Sequence, residues 1–234
     1  MSPKFVLTAA HCFHGDNGPV SPRNMEVIVG ANQPTNQTAL ARDEMRKLSQ
    51  SNKIKEVMIH PSFDKLTVSP MYDLALVEIQ GSFTFNKRSI WPICVPDEVR
   101  PREHHFYNGY QLVGFGTDTS DSKQCRECLK TDQINVKTTA FCKDKYKNNI
   151  NFDEDPLICA RVTGHSTGSC EGDSGGILWT PVFSLDEGEI AVQQAVVRGS
   201  IRNCDGSRFP SVFNRLDNRK VLPWIKASVF GKFY

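Results

Sequence analysis

The 234-residue sequence has no real excess of charge. Lys and Arg number 28 against 26 Asp and Glu, a formal net charge of +2, and neither sign gathers into a long block. A nucleic-acid or anionic-membrane partner therefore has no electrostatic footprint. No apolar run approaches the roughly 18 residues that a spanning helix needs. Repeats, low-complexity tracts and a clear linker are also missing, so nothing in the pattern divides the chain, which reads as a single domain over 1–234. The opening Phe5–Ala10 stretch stops at His11, short of the ~7–15 apolar residues of a signal peptide, and reads as mature structure. What is present points to a soluble globular protein: 39% apolar residues, with 14 Phe and 3 Trp, exclude wholesale disorder. A chain of this length folds with roughly 70% of its extended surface buried.

Eight cysteines look more extracellular than cytosolic, and the sequon Asn36-Gln37-Thr38 points weakly the same way. The expectation is a secreted protein whose exporting sequence is not in this chain. Dense punctuation by 16 Gly and 13 Pro separates short β-rich runs at Phe5–Thr8, Glu26–Val29, Ile54–Ile59, Leu74–Ile79, Gln111–Phe115, Ile134–Thr138, Gly176–Trp179, Ile190–Val197 and Pro210–Phe213. Many short strands between turns argue for an all-β sandwich or barrel. Asp73–Ile79 carries apolar residues on both faces, which places it well inside a sheet system. Asn17–Arg23, Arg42–Ser51 and Asp118–Glu127 read as loops. Only the end looks helical, with Leu222, Ile225 and Val229 on one stripe.

Three segments carry chemistry. Val6-Leu7-Thr8-Ala9-Ala10-His11-Cys12 is a strand ending in a turn that presents a histidine. Taken alone it reads as a surface or satisfied core residue as readily as a general base. Tyr72-Asp73-Leu74 opens an apolar strand with a carboxylate, which is either a cap or an orienter of imidazole. Cys170-Glu171-Gly172-Asp173-Ser174-Gly175-Gly176 is either a glycine-rich turn beside a disulfide or a nucleophile loop. In the second reading its glycines let backbone N–H groups face a developing oxyanion. A hydroxyl needs a base to become a nucleophile, and the base needs a third group to fix its tautomer. His11, Asp73 and Ser174 occur in the chain order of the chymotrypsin type.

On these blocks the sequence resembles the chymotrypsin/trypsin-like serine peptidase family over nearly all of its length. His60-Pro61-Ser62-Phe63, Trp91-Pro92-Ile93-Cys94-Val95-Pro96, Gly114-Phe115-Gly116, Pro210-Ser211-Val212-Phe213 and the Trp224-Ile225 terminal helix also fit. The resemblance implies two antiparallel six-stranded β-barrels and a C-terminal helix, with barrels at about 1–105 and 106–234. By motif, His11 is general base and acid, Asp73 its orienter and Ser174 the acylated nucleophile. The N–H groups of Gly172 and Ser174 form the oxyanion hole, and Asp173 is the acid that pairs with a freshly cut amino terminus. Gly168 floors the primary pocket, where cleavage after Lys or Arg would want a carboxylate, and Ser211 on its wall is small and neutral. Uncharged side chains are the expected preference, with Glu171 able to attract a basic group at the rim. Partners are protein or peptide substrates and protein protease inhibitors, without nucleic acid or membrane. No cofactor is implied.

The resemblance also pairs Cys142 with Cys159 and Cys170 with Cys204. Leu112 and Thr180 stand near the two ends of a common family bridge that is absent. The family partners of Cys12 and Cys94 would precede the histidine strand, which implies a truncated start and an incomplete first barrel. Cys125 and Cys128 could close a small loop or find other partners; a zinc site would need a second close pair, so no metal is expected. In Ala195–Ile201 the family's Ser-Trp-Gly is altered, and either Ser200 or Arg198 takes the place of the serine. The leading reading is a secreted serine endopeptidase whose activity falls below pH about 6–7 as its base protonates. Its rivals are an inactive or zymogen-like homologue acting as an extracellular binding module and a disulfide-held structural domain.

Overall fold

The architecture is that of a computed structural model, which describes residues 2–15, 18–30, 49–64, 71–86, 89–107, 109–117, 129–147, 150, 152, 156–163, 168–184, 186, 188–199, 204, 206 and 209–231. The N-terminal half contains β1 (Phe5–Thr8), β2 (His14–Gly15), β3 (Gly18–Pro19), β4 (Glu26–Val29), β5 (Gln50–Ile59) and β6 (Ala75–Ile79). Four of these form an open antiparallel sheet in the order β1-β6-β5-β4, and β2 and β3 pair in a small hairpin. In the C-terminal half, β7 (Gly109–Gly114), β8 (Lys130–Val136), β9 (Leu157–Val162), β10 (Ile177–Ser184), β11 (Gly188–Gly199) and β12 (Ser211–Arg215) close into a six-stranded barrel. The all-β expectation holds. The first barrel is an open sheet rather than a closed ring of six strands, as its expected incompleteness implied.

Alternation places the core. β6 buries both faces: Ala75 and Val77 pack with Ala10, Phe13 and Ile54, while Leu74 and Leu76 meet Leu7, Val196, Leu216 and Ile225 on the other side. The helix Val221–Phe230 therefore returns the C-terminus to the N-terminal sheet, and Leu222 is buried on the same element. The barrel interior is filled by residues such as Tyr110, Ile134, Ile158, Leu178, Val197 and Phe213, each at most 2% exposed. Where Leu112 meets β10 its pairing partner is Leu178.

Two of the longer elements escaped the periodicity. The helix Thr139–Tyr146 buries only Cys142 and Tyr146, too narrow a stripe to read among its lysines. It forms because Thr138 accepts from the Phe141 N–H, and because Cys142 and Tyr146 pack with Phe152 and Leu157. β9 is buried at every residue except Arg161, which is only partly covered, and its Cys159-Ala160-Arg161 stretch interrupts the β-branched pattern. Expected loops also shift. Gln50 and Ser51 belong to β5, and the Gln50 amide exchanges two hydrogen bonds with the Thr84 backbone. Within Asn17–Arg23, Gly18–Pro19 is a strand and Pro22–Asn24 begins a 3-10 turn capped by Ser21. The segments 42–48 and 118–127, the sequon 36–38, and Cys125 and Cys128 lie outside the described residues.

A buried polar cluster stands where the chain enters the second barrel. His105 stands between the Tyr110 hydroxyl at 2.8 Å and the Asp217 carboxylate at 3.0 Å. Asp217 also accepts from Arg215 Nε at 2.9 Å. Burial pushes the Asp217 pKa up, but His105 and Arg215 outweigh it and hold the carboxyl below its usual range. A buried charge needs such partners to persist. His60, of the His60–Phe63 block, is also structural: it stacks on Tyr72 with ring centroids 4.9 Å apart and meets the Lys220 carbonyl.

Candidate active site

β1 ends at Thr8, and a 3-10 turn over Ala10–Phe13 then projects His11. Ala9 and Ala10 are fully buried, so the turn is anchored by packing and the imidazole is its half-exposed tip. Asp73 is reached through Tyr72, a non-glycine residue at φ 54°. That left-handed backbone is costly for an aromatic residue. The ring is held by the His60 stack and by Lys220 Nζ at 5.2 Å from its centroid.

The bend aims Asp73, 1% exposed, at the histidine turn. Oδ1 accepts the His11 backbone N–H at 2.8 Å, and Oδ2 lies 2.6 Å from Nδ1. Asn214 on β12 clamps the Asp73 backbone in turn. Its Oδ1 accepts from the Asp73 N–H at 3.2 Å and its Nδ2 donates to the Asp73 carbonyl at 3.1 Å. Asn214 is a site residue that no motif announced; the one trace in the sequence is a polar residue inside the apolar Ser211–Arg215 run.

The Ser174 loop is drawn against the same turn. Gly175 takes φ 81°, and a Cβ there would stand 2.1 Å from Thr8 Oγ1 and 3.2 Å from the Ala9 nitrogen. Only glycine lets the residue after Ser174 touch the strand end that launches His11. The Gly175 N–H donates to the Val197 carbonyl at 2.9 Å, tying the loop to β11. Cys12 Sγ lies 3.9 Å from His11 Nε2 and 3.9 Å from the Ser174 carbonyl oxygen, so histidine and serine flank one sulfur. The structure brings His11, Asp73 and the Ser174 loop together at the junction of the two halves.

Asp173 and Gly172 sit behind this arrangement. Asp173 accepts from the Gly116 N–H at 2.8 Å and the Cys170 N–H at 2.9 Å. Gly172, at φ 95°, rests on Gly116: a Cβ on it would be 3.2 Å from the Gly116 Cα. A cavity of about 450 Å³ opens beside Asp173, lined among others by Gly116, Lys130, Asp132 and Gly168. A Cβ at Gly168 would stand 2.8 Å from Ser211 Oγ, and that hydroxyl accepts the Ser169 N–H at 2.6 Å. Gly168 and Ser211 are thus neighbours. Disulfides join Cys170 to Cys204 and Cys142 to Cys159. Cys12 and Cys94 are free thiols. Ser200 lies outside the described residues. Among the described residues no group of three or more His, Cys, Asp or Glu stands where it would hold a metal ion.

The sequence profile of the trypsin family matches residues 1–225. The chain belongs to the trypsin family. It is similar to Trypsin-1 of Astacus astacus, at 27% identity across 96% of this chain and 83% of that protein. Granzyme A of Bos taurus is 29% identical across 97% of this chain and 76% of that protein. The solved structure of neuropsin, a serine protease expressed in the limbic system of mouse brain, superposes with a TM-score of 0.73. It does so at 19% identity, over 97% of this chain and 86% of that chain, and shows the shared fold.

Within this trypsin-family frame the electrostatics of His11 are dominated by its two neighbours. The hydrogen bond with Asp73, followed by the contact with Cys12, pushes its pKa up to about 10, against the opposing pull of burial. A base must be neutral to accept a proton. On the expectation that His11 is the general base, the acid limb of kcat/KM lies above pH 6.5, higher than the sequence alone suggested. Cys12→Ala, which removes the second cause, should move that limb down. A pH–rate profile checks this, and a limb indifferent to Cys12 would contradict it.

Gly116 supplies a second prediction. A Cβ there would meet Asp173 Cγ at 2.3 Å, so Gly116→Ala must displace the carboxylate and disturb the Gly172 peptide resting on the same residue. On the expectation that the Gly172 N–H is an oxyanion donor, whose loss costs about 10²–10³ in kcat, Gly116→Ala is expected to fall in that range. Active-site titration alongside turnover checks it; an unchanged kcat would show that the seat of Asp173 has no bearing on Gly172.

Proposed function

We propose that the chain is a serine endopeptidase that hydrolyses protein or peptide substrates through an acyl-enzyme. The observation that carries the reading is the two-point grip of Asp73 on His11, with the Ser174 loop packed against the same turn through Gly175 and Thr8. In the forward step His11 Nε2 takes the proton of Ser174 Oγ as that oxygen bonds to the scissile carbonyl carbon. The carbonyl pair moves to oxygen, which the N–H groups of Gly172 and Ser174 stabilise. Collapse of the tetrahedral species breaks the C–N bond, and the imidazolium gives its proton to the departing amine. Water then repeats the sequence on the ester, returning the acid product and free Ser174. Asp73 fixes the Nδ1–H tautomer and offsets the imidazolium charge without accepting the proton.

Further readings attach to this one. With Gly168 and Ser211 at the pocket and no carboxylate from either, uncharged side chains at the cleaved position are the proposed preference. Asp173 is the proposed partner of a newly formed amino terminus, whose ammonium would enter the cavity of about 450 Å³ beside it. Protein protease inhibitors are proposed partners. An extracellular setting agrees with the two disulfides, and no helix among the described residues is long and apolar enough to cross a membrane.

The test is labelling of the proteolytically activated protein with a serine-directed phosphonate, followed by peptide mapping. The label should fall on Ser174 alone; an activated, folded protein that takes up no label, or takes it elsewhere, would overturn the assignment.

A further inference from the structure

Strand β8 turns a lysine inward. Along Lys130–Val136 the covered residues are Lys130, Asp132, Ile134 and Val136, with Thr131, Gln133 and Asn135 exposed between them. Ile134 and Val136 belong to the barrel core, so Lys130 and Asp132 hold interior positions at the end of the strand. Both line the cavity of about 450 Å³ beside Asp173, where Lys130 carries the one positive charge among the described lining residues. An ammonium brought under cover needs a partner, and Lys130 Nζ donates to the Gly116 carbonyl at 2.8 Å. Gly116 is also the seat of the loop before Ser174. Its N–H donates to Asp173 Oδ1 at 2.8 Å, and a Cβ on Gly172 would lie 3.2 Å from its Cα. The next N–H, of Thr117, donates to the Glu171 carbonyl at 3.0 Å. The β7–β8 ladder ends at the pair Gly114 and Lys130, and the Lys130 side chain reaches past that end to hold Gly116.

We propose that Lys130 is a positioning residue that sets the oxyanion loop before the chain is cut, by fixing the Gly116 backbone on which Asp173 and Gly172 are seated. This role rests on the peptidase reading, with Gly172 as an oxyanion donor and Asp173 as the acid that meets a new amino terminus. In that reading the cut delivers an ammonium to the cavity. Here a side-chain ammonium already stands there, bonded to the carbonyl of the residue whose N–H holds Asp173. Charge on the donor strengthens such a bond, so the Gly116 backbone and the Asp173 carboxylate keep their places without a new terminus. Asp132 and Asp173 outnumber Lys130 in the lining, which leaves a negative charge for the ammonium of the cut form. Lys130 thus gives the uncut chain a basal activity, and the new terminus adds to it.

The experiment compares Lys130→Met, Lys130→Arg and the unaltered full chain, each uncut and after proteolytic activation. Two quantities are read: the rate of phosphonate labelling at Ser174, and amide hydrogen exchange at Gly116 and Cys170, whose N–H groups bond Asp173. A hydrogen bond from a charged donor is worth about 10–100-fold. Uncut Lys130→Met should label more slowly by that factor, and its Gly116 and Cys170 amides should exchange faster by it. The Val197 N–H, bonded to the Gly176 carbonyl, should exchange unchanged, which a general loosening of the barrel would not allow. After activation the labelling loss should shrink to a few-fold, and Lys130→Arg should restore both readouts in the uncut chain. Unmoved exchange at Gly116 and Cys170, an acceleration shared equally by Val197, or an equal labelling loss in cut and uncut forms overturns the proposal. So does an unaltered uncut chain that takes no label while the cut form does. Should Lys130→Met fail to fold, Lys130→Gln, shorter and uncharged, is read by the same criteria. Exchange needs no turnover, so a chain that labels in neither form sinks the peptidase reading while the hold of Lys130 on the Asp173 seat is still read directly.

Discussion

Ser174→Ala is expected to lower kcat by on the order of 10⁶-fold, the full worth of a nucleophile in a triad, while leaving the fold intact. The side chain is only partly buried, and the backbone bonds that hold its loop come from Asp173, Gly175 and Gly176. Removing one hydroxyl leaves all of them in place. Thermal unfolding should therefore be unchanged within the ±0.5 kcal/mol of a neutral substitution, and binding of a protein protease inhibitor should survive. Steady-state turnover by the activated form, with unfolding measured in parallel, separates this from a loss by misfolding. Persistent turnover in the variant would require a different nucleophile.

Asp73→Asn is the second large effect, about 10⁴-fold in kcat, a magnitude that comes from the trypsin-type triad itself. Its cause here is specific. Oδ2 faces His11 Nδ1 at 2.6 Å while Oδ1 already accepts the His11 backbone N–H at 2.8 Å. An amide placed to keep the backbone bond turns its NH₂ toward Nδ1. Nδ1 must then accept, its proton moves to Nε2, and Nε2 can no longer take one from serine. The same change removes the main cause of the raised His11 pKa. The residual activity of Asp73→Asn should thus show an acid limb close to the ordinary histidine value near 6.5. A large rate loss with an unmoved limb would mean that Asp73 supports the turn but does not govern the imidazole.

Much of this organisation was legible from residue types alone. Short β-rich runs between turns placed β1, β4 and β6, an apolar stripe placed the terminal helix, and the glycines around Ser174 already implied close backbone approach. What stayed hidden depends on contacts between distant segments. The helix Thr139–Tyr146 forms through a threonine cap, a disulfide and two buried side chains, so its own pattern is mostly polar. β9 is defined by the walls of a closed barrel rather than by a β-branched run. Asn214 became visible as a clamp only when β12 was laid beside Asp73. Arg198 looked like a departure of unknown register until the bulge between Val197 and Gly199 showed where the extra residue falls. The sequence could likewise place a histidine in a turn but not fix its proton affinity, because Cys12 and Asp73 act on it through space.

The central claim is that His11, Asp73 and Ser174 work as one unit, and its most direct test is kinetic. Turnover is measured for His11→Ala, for Ser174→Ala and for the two combined in the activated protein. Groups that share one proton transfer are grossly non-additive, so the double variant should be no slower than either single variant. Losses that multiply, with the double variant falling by the product of the two single effects, would contradict it.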